Sequence, residues 1–121
     1  METENRILIV DDQPMNVEIL YKILKRDYVV ETASDGEEGL DKVRQFEPDL
    51  VLLDVMMPGI DGYEVCRRIK ASPVGDFTQV ILVSGKASQF ERQEGYEAGA
   101  DDYLSKPINK EMLRKNYHSG W

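Results

Sequence analysis

Short apolar runs alternate along the chain with longer segments that have helical spacing. The runs are rich in Ile, Leu and Val, which is typical of strands buried on both faces of a parallel sheet. Four clear runs and a weaker fifth predict strands at residues 7–10, 28–30, 50–53, 80–83 and 102–105.

In the segments between and after these runs, apolar residues recur on one helix face, although the fourth segment (residues 88–98) is mostly polar. Pro14 suits the first turn of the first helix, and residues 34–37 (Ser-Asp-Gly-Glu) predict a capping box that opens the second. Pro48 would end the second helix, and Asn109 would cap a short fifth one. The residues predicted to face inward are Val17, Leu20 and Leu24 in the first helix, Leu40, Val43 and Phe46 in the second, Val65, Cys66 and Ile69 in the third (residues 62–70), and Met112 and Leu113 in the fifth.

Strands that alternate with helices in this way predict an α/β domain with right-handed crossovers and an open, doubly wound parallel sheet, a (βα)5 unit. The length of 121 residues fits a single domain. We expect residues 1–116 to form that domain and residues 117–121 to be a tail or a truncated linker.

Composition and charge exclude several classes of protein. The chain has 15 Lys and Arg against 23 Asp and Glu, a net charge of −8, which argues against direct nucleic-acid binding. No apolar run is long enough for a transmembrane helix, and the polar start is unlike a secretory signal. Cys66 has no second cysteine to pair with, so we expect a reducing, cytoplasmic compartment.

The candidate chemistry lies where the predicted strands end, because ligands of open α/β sheets bind beyond the carboxyl ends of the strands. Asp11, Asp12 and Asp54 supply three carboxylates there, Ser84 a hydroxyl and Lys106 an ammonium. Like charges about 4 Å apart repel by about 4 kcal/mol at an effective dielectric constant near 20. The carboxylates therefore predict a divalent cation, and Mg²⁺ is the hard cation that such oxygen ligands suit.

Phosphoryl transfer is the chemistry that fits this set, because positioning and charge neutralisation supply most of its catalysis and a carboxylate can act as nucleophile. Each residue alone also has a simpler interpretation: Asp11 and Asp12 as a helix-capping turn, Ser84 as a turn residue, Lys106 as a solvated lysine. Asp54 fits such an interpretation least, because it directly follows a buried apolar strand.

Several motifs in a fixed order give the site a family resemblance. They are Asp11-Asp12, residues 53–62 (Leu-Asp-Val-Met-Met-Pro-Gly-Ile-Asp-Gly), Ser84-Gly85, residues 99–103 (Gly-Ala-Asp-Asp-Tyr) and Lys106-Pro107. Together they resemble the receiver domain of two-component response regulators over about residues 5–115. The resemblance implies a flavodoxin-like fold with strand order 2-1-3-4-5.

The resemblance also implies a role for each acid at the site. Asp54 matches the phosphoacceptor, which attacks a phosphohistidine on a partner kinase. Asp12 would bind Mg²⁺ directly, and Asp11 mainly through a coordinated water. Asp54 itself and the backbone carbonyl of Met56 would complete the protein ligands.

The remaining site residues match the parts of the family that respond to phosphorylation. Lys106 would pair with the acceptor carboxylate and then with the phosphoryl oxygens, and the peptide bond between it and Pro107 would be cis. Ser84 would hydrogen-bond the phosphoryl group. Tyr103 matches the aromatic residue that turns inward when Ser84 moves.

The implied function is that of a phosphoacceptor that switches a binding surface, without being a turnover enzyme. The implied partners are a sensor histidine kinase or phosphotransfer protein, an output domain or effector, and a second copy of the chain through the fourth helix, fifth strand and fifth helix. Two alternatives stay open: a phosphorylation-independent interaction module on the same fold, and a small Mg²⁺-dependent phosphatase with an aspartyl nucleophile. A flavin carrier fits poorly, because Asp11 and Asp12 stand where a phosphate-binding loop would be.

Overall fold

The computed structural model describes residues 5–86, 88–109 and 111. Strands and helices alternate in it, with one short 3-10 helix at Pro73–Asp76 before the fourth strand. The strands are β1 (Arg6–Val10), β2 (Val29–Ala33), β3 (Leu50–Asp54), β4 (Gln79–Ser84) and β5 (Asp102–Ser105), and the described α-helices are α1 (Pro14–Leu24), α2 (Gly36–Phe46), α3 (Gly62–Ala71) and α4 (Gln89–Glu97). No helix in the described part of the chain is long and apolar enough to cross a membrane.

The five strands form one parallel sheet in the order β2-β1-β3-β4-β5, which confirms the predicted flavodoxin-like arrangement. Each face of the sheet carries its own apolar cluster. Leu8, Val51 and Leu82 belong to one cluster, together with residues of α2 and α3, whereas Ile7 and Leu52 belong to the other, together with residues of α1. The central strands are therefore apolar throughout because both of their faces are buried.

The predicted capping box of the second helix is wrong by one residue. Asp35 is the N-cap, and its side chain accepts a hydrogen bond from the backbone N–H of Glu38. Ser34 precedes the cap and donates both its backbone N–H and its hydroxyl to the Glu38 carboxylate. Both residue types favour an N-cap, so adjacent Ser and Asp leave the choice open in the sequence.

The other helices begin as their sequences indicate. Pro14 occupies the first turn of α1, where its missing N–H costs no hydrogen bond. Ser88 and Glu91 form a complete capping box at the start of α4.

Cys66 is fully buried against the core, which confirms its predicted packing role, and burial raises the pKa of its thiol to about 11.

Two local predictions need correction. The second strand continues to Ala33, three residues beyond the predicted end, because β2 is an edge strand on which polar residues remain partly exposed. The segment before β4, for which the sequence pattern predicts neither a strand nor a helix, contains the 3-10 helix. The predicted fifth helix with Met112 and Leu113, and the tail at residues 117–121, lie outside the described residues.

Candidate functional site

The carboxyl ends of β1 and β3 bring the candidate acids together. The two strands are adjacent and parallel, with Val10 paired to Leu53, so the residues that follow this pair, Asp11 and Asp54, lie side by side at the edge of the sheet. Asp12 is the next residue along the chain. One oxygen of each of the three carboxylates lies within 4.8 Å of the others, as the strand-end prediction required.

Burial makes this acidic cluster unusual. Asp11 is 4% and Asp54 is 5% exposed, whereas Asp12 is only partly buried. Ionised carboxylates so far from water require compensating charge or hydrogen bonds. The cluster contains carboxylates without His or Cys ligands, a donor set that suits a hard cation such as Mg²⁺.

Lys106 supplies the compensating positive charge next to the cluster. Its Nζ lies 3.2 Å from Asp54 Oδ1 and 3.5 Å from Asp11 Oδ2. The lysine follows the last residue of β5, and the peptide bond between Lys106 and Pro107 is cis, as the resemblance implied. One ammonium is thus shared between two buried carboxylates, and the cluster keeps an excess of negative charge.

The pKa values of the site reflect its burial and then its charges. Burial raises the pKa of Asp54, the Asp11 carboxylate adds to the rise, and the Lys106 ammonium opposes it. For Lys106, burial acts to lower the pKa, but the Asp54 and Asp11 carboxylates outweigh it and the net shift is upward. A divalent cation would favour the ionised form of Asp54, because it would place a positive charge next to the carboxylate.

Two neighbours that sequence reasoning missed orient Asp11. The backbone N–H of Gln13 donates to Asp11 Oδ1 at 2.9 Å, and the Asn16 side chain lies 3.4 Å from Oδ2. The first contact is the common turn in which an Asp accepts from the residue two positions on, so Gln13 was predictable. Asn16 carries no such signal, because its contact depends on where α1 starts.

The loop after Asp54 is closed at its base. The backbone N–H of Gly62 donates to the carbonyl of Val55 at 2.9 Å, and a Cβ at position 62 would clash with the Asp54 carbonyl oxygen. Only glycine therefore lets α3 begin so close to the acceptor strand. Met56 follows in this loop with a side chain that is 66% exposed, and its carbonyl remains a predicted ligand.

Ser84 ends the strand next to Asp54. The register pairs Asp54 with Val83, so Ser84 lies one residue further along β4, at the same edge of the sheet. The side chain is 2% exposed, and its Oγ accepts a hydrogen bond from the backbone N–H of Lys86 at 3.0 Å. Ser84 thus lies at the same edge of the sheet as the acidic cluster, and its hydroxyl is connected to the loop that leads to α4.

Tyr103 lies in β5 behind this loop and is fully buried. Its hydroxyl donates to the Lys86 carbonyl at 3.1 Å and lies 3.2 Å from the hydroxyl of Tyr63, a residue that sequence reasoning did not select. Arg92 of α4 donates to the Tyr103 carbonyl at 2.8 Å. The structure therefore places Tyr103 in contact with the Ser84 loop, with α3 and with α4.

This fold and site are matched among known proteins. The family model for the response regulator receiver domain matches residues 7–118. Response regulator PleD of Caulobacter vibrioides is 44% identical over 109 residues, which cover 89% of this chain and 24% of PleD. Response regulator MprA of Mycolicibacterium vanbaalenii is 46% identical over 109 residues, 89% of this chain and 46% of MprA. This chain thus spans between about a quarter and a half of the length of these relatives.

Solved structures give the same match. A CheY-like receiver domain protein from Methanospirillum hungatei superposes with a TM-score of 0.87 and 32% identity, covering 98% of this chain and 94% of that one. The beryllofluoride-activated receiver domain of DrrB, from Thermotoga maritima, gives a TM-score of 0.82 and 36% identity, with 92% of each chain covered.

The sheet order, the clustered acids and these matches define the class of protein as a doubly wound signalling domain with a carboxylate site. The chain belongs to the response regulator receiver domain family, the phosphoacceptor domains of two-component phosphorelays. Receiver domains generally bind Mg²⁺ at an acidic pocket, and Asp11, Asp12 and Asp54 form such a cluster here.

Proposed function

We propose that Asp54 is the residue that accepts the phosphoryl group, from the phosphohistidine of a sensor histidine kinase or phosphotransfer protein. The observation that carries the proposal is the nearly complete burial of Asp54 between two further acids and the Lys106 ammonium. Burying an ionised carboxylate costs free energy, and residues in such a setting are commonly functional.

The transfer breaks the bond between phosphorus and the imidazole nitrogen and forms a bond between phosphorus and a carboxylate oxygen of Asp54. The imidazole nitrogen keeps the electron pair of the broken bond. Mg²⁺ bound at the site would offset the charge of the carboxylates and of the phosphoryl oxygens. Asp11, Asp12, Asp54 and the Met56 carbonyl are the groups we propose to hold it.

Lys106 and Ser84 would respond to the new phosphoryl group. Lys106 already lies 3.2 Å from the acceptor carboxylate, so its ammonium is within reach of oxygens attached there. Ser84 Oγ, which accepts a hydrogen bond from the Lys86 N–H, would donate its hydroxyl proton to a phosphoryl oxygen. Tyr103, which contacts the Lys86 carbonyl, would follow the movement of that loop and change the surface around α4 and β5.

We propose a phosphoacceptor that switches a partner surface, and not a turnover enzyme. A phosphatase with an aspartyl nucleophile normally uses a second carboxylate two residues later, and that residue is Met56. We further propose cytoplasmic action, an output domain or effector as the recipient of the signal, and a homodimer through α4, β5 and the predicted fifth helix. The proposed boundary between domain and tail lies after residue 116.

The substitution Asp54→Asn tests the acceptor directly. With acetyl phosphate or beryllofluoride and Mg²⁺, we expect the unchanged chain to be labelled, and the variant to show no labelling, because the amide cannot act as the carboxylate nucleophile. Mass spectrometry measures the phosphoryl adduct, and fluorine NMR measures the beryllofluoride adduct. Removing Mg²⁺ with EDTA should abolish labelling of the unchanged chain.

Asp61→Asn is the matched control. The substitution removes the same charge as Asp54→Asn, but Asp61 is exposed. Asp61 is the N-cap of α3, and asparagine is an equally good capping residue. Labelling of this variant should equal that of the unchanged chain. Normal labelling of Asp54→Asn would reject Asp54 as the acceptor.

A further inference from the structure

A pair of buried tyrosine hydroxyls joins α3 to β5. Tyr63, the second residue of α3, is 8% exposed, and Tyr103 is fully buried. Their hydroxyl oxygens are 3.2 Å apart, although the residues are 40 positions apart in the chain. Burial, followed by the hydrogen bond with Tyr103, raises the pKa of Tyr63, as expected for a phenol held in its neutral form.

The pair belongs to a longer chain of hydrogen bonds that starts at the acidic site. The Lys86 N–H donates to Ser84 Oγ, and the Lys86 carbonyl accepts from the Tyr103 hydroxyl at 3.1 Å. The Tyr63 hydroxyl lies 3.3 Å from the carbonyl of Glu91, in the first turn of α4. The chain therefore runs from Ser84 through both tyrosines to the start of α4.

Counting protons indicates that the three hydroxyl contacts depend on one another. Two phenols have two hydroxyl protons, and these serve three contacts: with the Lys86 carbonyl, with the Glu91 carbonyl, and between the two oxygens. If Tyr103 donates to Lys86, then Tyr63 must divide its single proton between Tyr103 and Glu91. Movement of either ring therefore changes the hydrogen bonding of the other.

The ring of Tyr103 fits closely against α4 on its other side. A Cβ at Gly95 would lie 2.7 Å from Tyr103 Cδ2, so the helix backbone approaches the ring edge directly. The Arg92 guanidinium lies 5.7 Å from the centre of the same ring. The Tyr103 ring and α4 are therefore in close contact, so each limits where the other can lie. The Tyr63 hydroxyl contacts both.

We propose that Tyr63 is a positioning residue whose hydroxyl holds the Tyr103 ring inward and ties it to the first turn of α4. This positioning stands on the contacts alone. Its consequence for the acidic site rests on the proposed function, because it requires the inward ring to favour the arrangement of Ser84 that accepts a phosphoryl group. Tyr63 would then raise the affinity of the site for a phosphoryl mimic without touching it.

The substitution Tyr63→Phe tests the proposal, because it removes the hydroxyl and keeps the buried ring. Nuclear Overhauser contacts between the Tyr103 ring and the Gly95 Cα protons measure the inward position, and we expect them to fall at least twofold. The apparent dissociation constant for beryllofluoride with saturating Mg²⁺ measures the coupling. Loss of one hydrogen bond predicts an increase in this constant of about three- to tenfold.

Tyr21→Phe is the matched control. Tyr21 lies exposed on α1, and within the described part of the chain its hydroxyl makes no hydrogen bond that the structure resolves. This variant should change neither measurement. In a Tyr103→Phe background, Tyr63→Phe should add little to the dissociation constant, because the two hydroxyls act as a pair. A purely structural role for Tyr63 would instead give additive effects.

Each outcome decides a separate point. Unchanged ring contacts in Tyr63→Phe would overturn the positioning role. Lost ring contacts with an unchanged dissociation constant would overturn the coupling to the acidic site. If the unchanged chain binds no beryllofluoride, the proposed function fails, whereas the NMR comparison still decides whether Tyr63 positions Tyr103.

Discussion

Helices α3 and α4 are neighbours in sequence order but are held in opposite ways. α3 buries five of its ten residues, among them Val65, Cys66 and Ile69. Of the nine residues of α4, all of them described, Gly95 alone is buried, and Phe90 on the same helix is 76% exposed. Apolar packing therefore fixes α3, whereas α4 has almost no apolar side chain to anchor it.

Polar contacts, rather than apolar packing, hold α4 in place. Its first turn is held by the capping box of Ser88 and Glu91, and Arg92 and the Tyr63 hydroxyl connect the helix to its neighbours. Hydrogen bonds of this kind contribute about 1 kcal/mol each and can be exchanged for others, whereas buried apolar contacts are lost only with a large cost. The comparison indicates a rigid helix beside one that can shift.

The largest effect should come from α3. Ile69→Ala removes a side chain that is 1% exposed and leaves a cavity in the core, so we expect the free energy of unfolding to fall by about 2–5 kcal/mol. Urea denaturation measures the change. Arg68→Ala on the exposed side of the same helix should cost less than about 1 kcal/mol. Equal losses from the two variants would contradict a packing role for α3.

An intermediate effect is expected from Gly95→Ala in α4. Alanine gains about 1 kcal/mol of helix propensity over glycine, but the new methyl would meet Tyr103 at 2.7 Å and Leu82 at 3.0 Å. Because Tyr103 is fully buried and its hydroxyl is held by hydrogen bonds, we expect a net loss of about 1–2 kcal/mol. Gly85→Ala, where no atom lies within 4 Å of the added group, should show no such loss in the same denaturation experiment.

The smallest effect should be the most local one. Ser88→Ala removes the N-cap of α4, which costs about 1 kcal/mol, and we expect amide hydrogen exchange in α4 to accelerate about fivefold. Amides of α3 should stay unaffected, because their protection depends on the core. Asp61→Ala removes the corresponding cap of α3 and serves as the comparison. Equal acceleration in both helices after Ser88→Ala would mean that they open as one unit.

Much of the fold could be predicted because burial on both faces leaves a clear pattern. The third and fourth predicted strands differ from β3 and β4 by no more than one residue at either end. The edge strand β2 was predicted too short, since the polar Glu31 and Thr32 are tolerated where one side of the strand is open. The hydrophobic pattern alone therefore predicts the bounds of buried central strands well and those of edge strands poorly.

The candidate site, too, could be predicted only in part. The meeting of Asp11, Asp12 and Asp54 could be predicted, because parallel strands bring their carboxyl ends to one edge. The hydroxyl contact between Tyr63 and Tyr103 could not, because it depends on how deeply α3 and β5 pack against each other. The sequence shows one tyrosine in the third predicted helix and another in the fifth predicted strand, and this does not specify a distance between them.

The loop after the acceptor strand has one more consequence, which concerns protein engineering. Its ends are joined by the hydrogen bond from Gly62 to Val55, and Gly59 within it has a φ of 79° and no atom within 4 Å of where a Cβ would lie. A foreign peptide spliced in at Gly59 would extend into solvent, while the closed base keeps Asp54 in register. The chain thus offers an attachment point for a fluorescent or epitope reporter within one short loop of its reactive carboxylate.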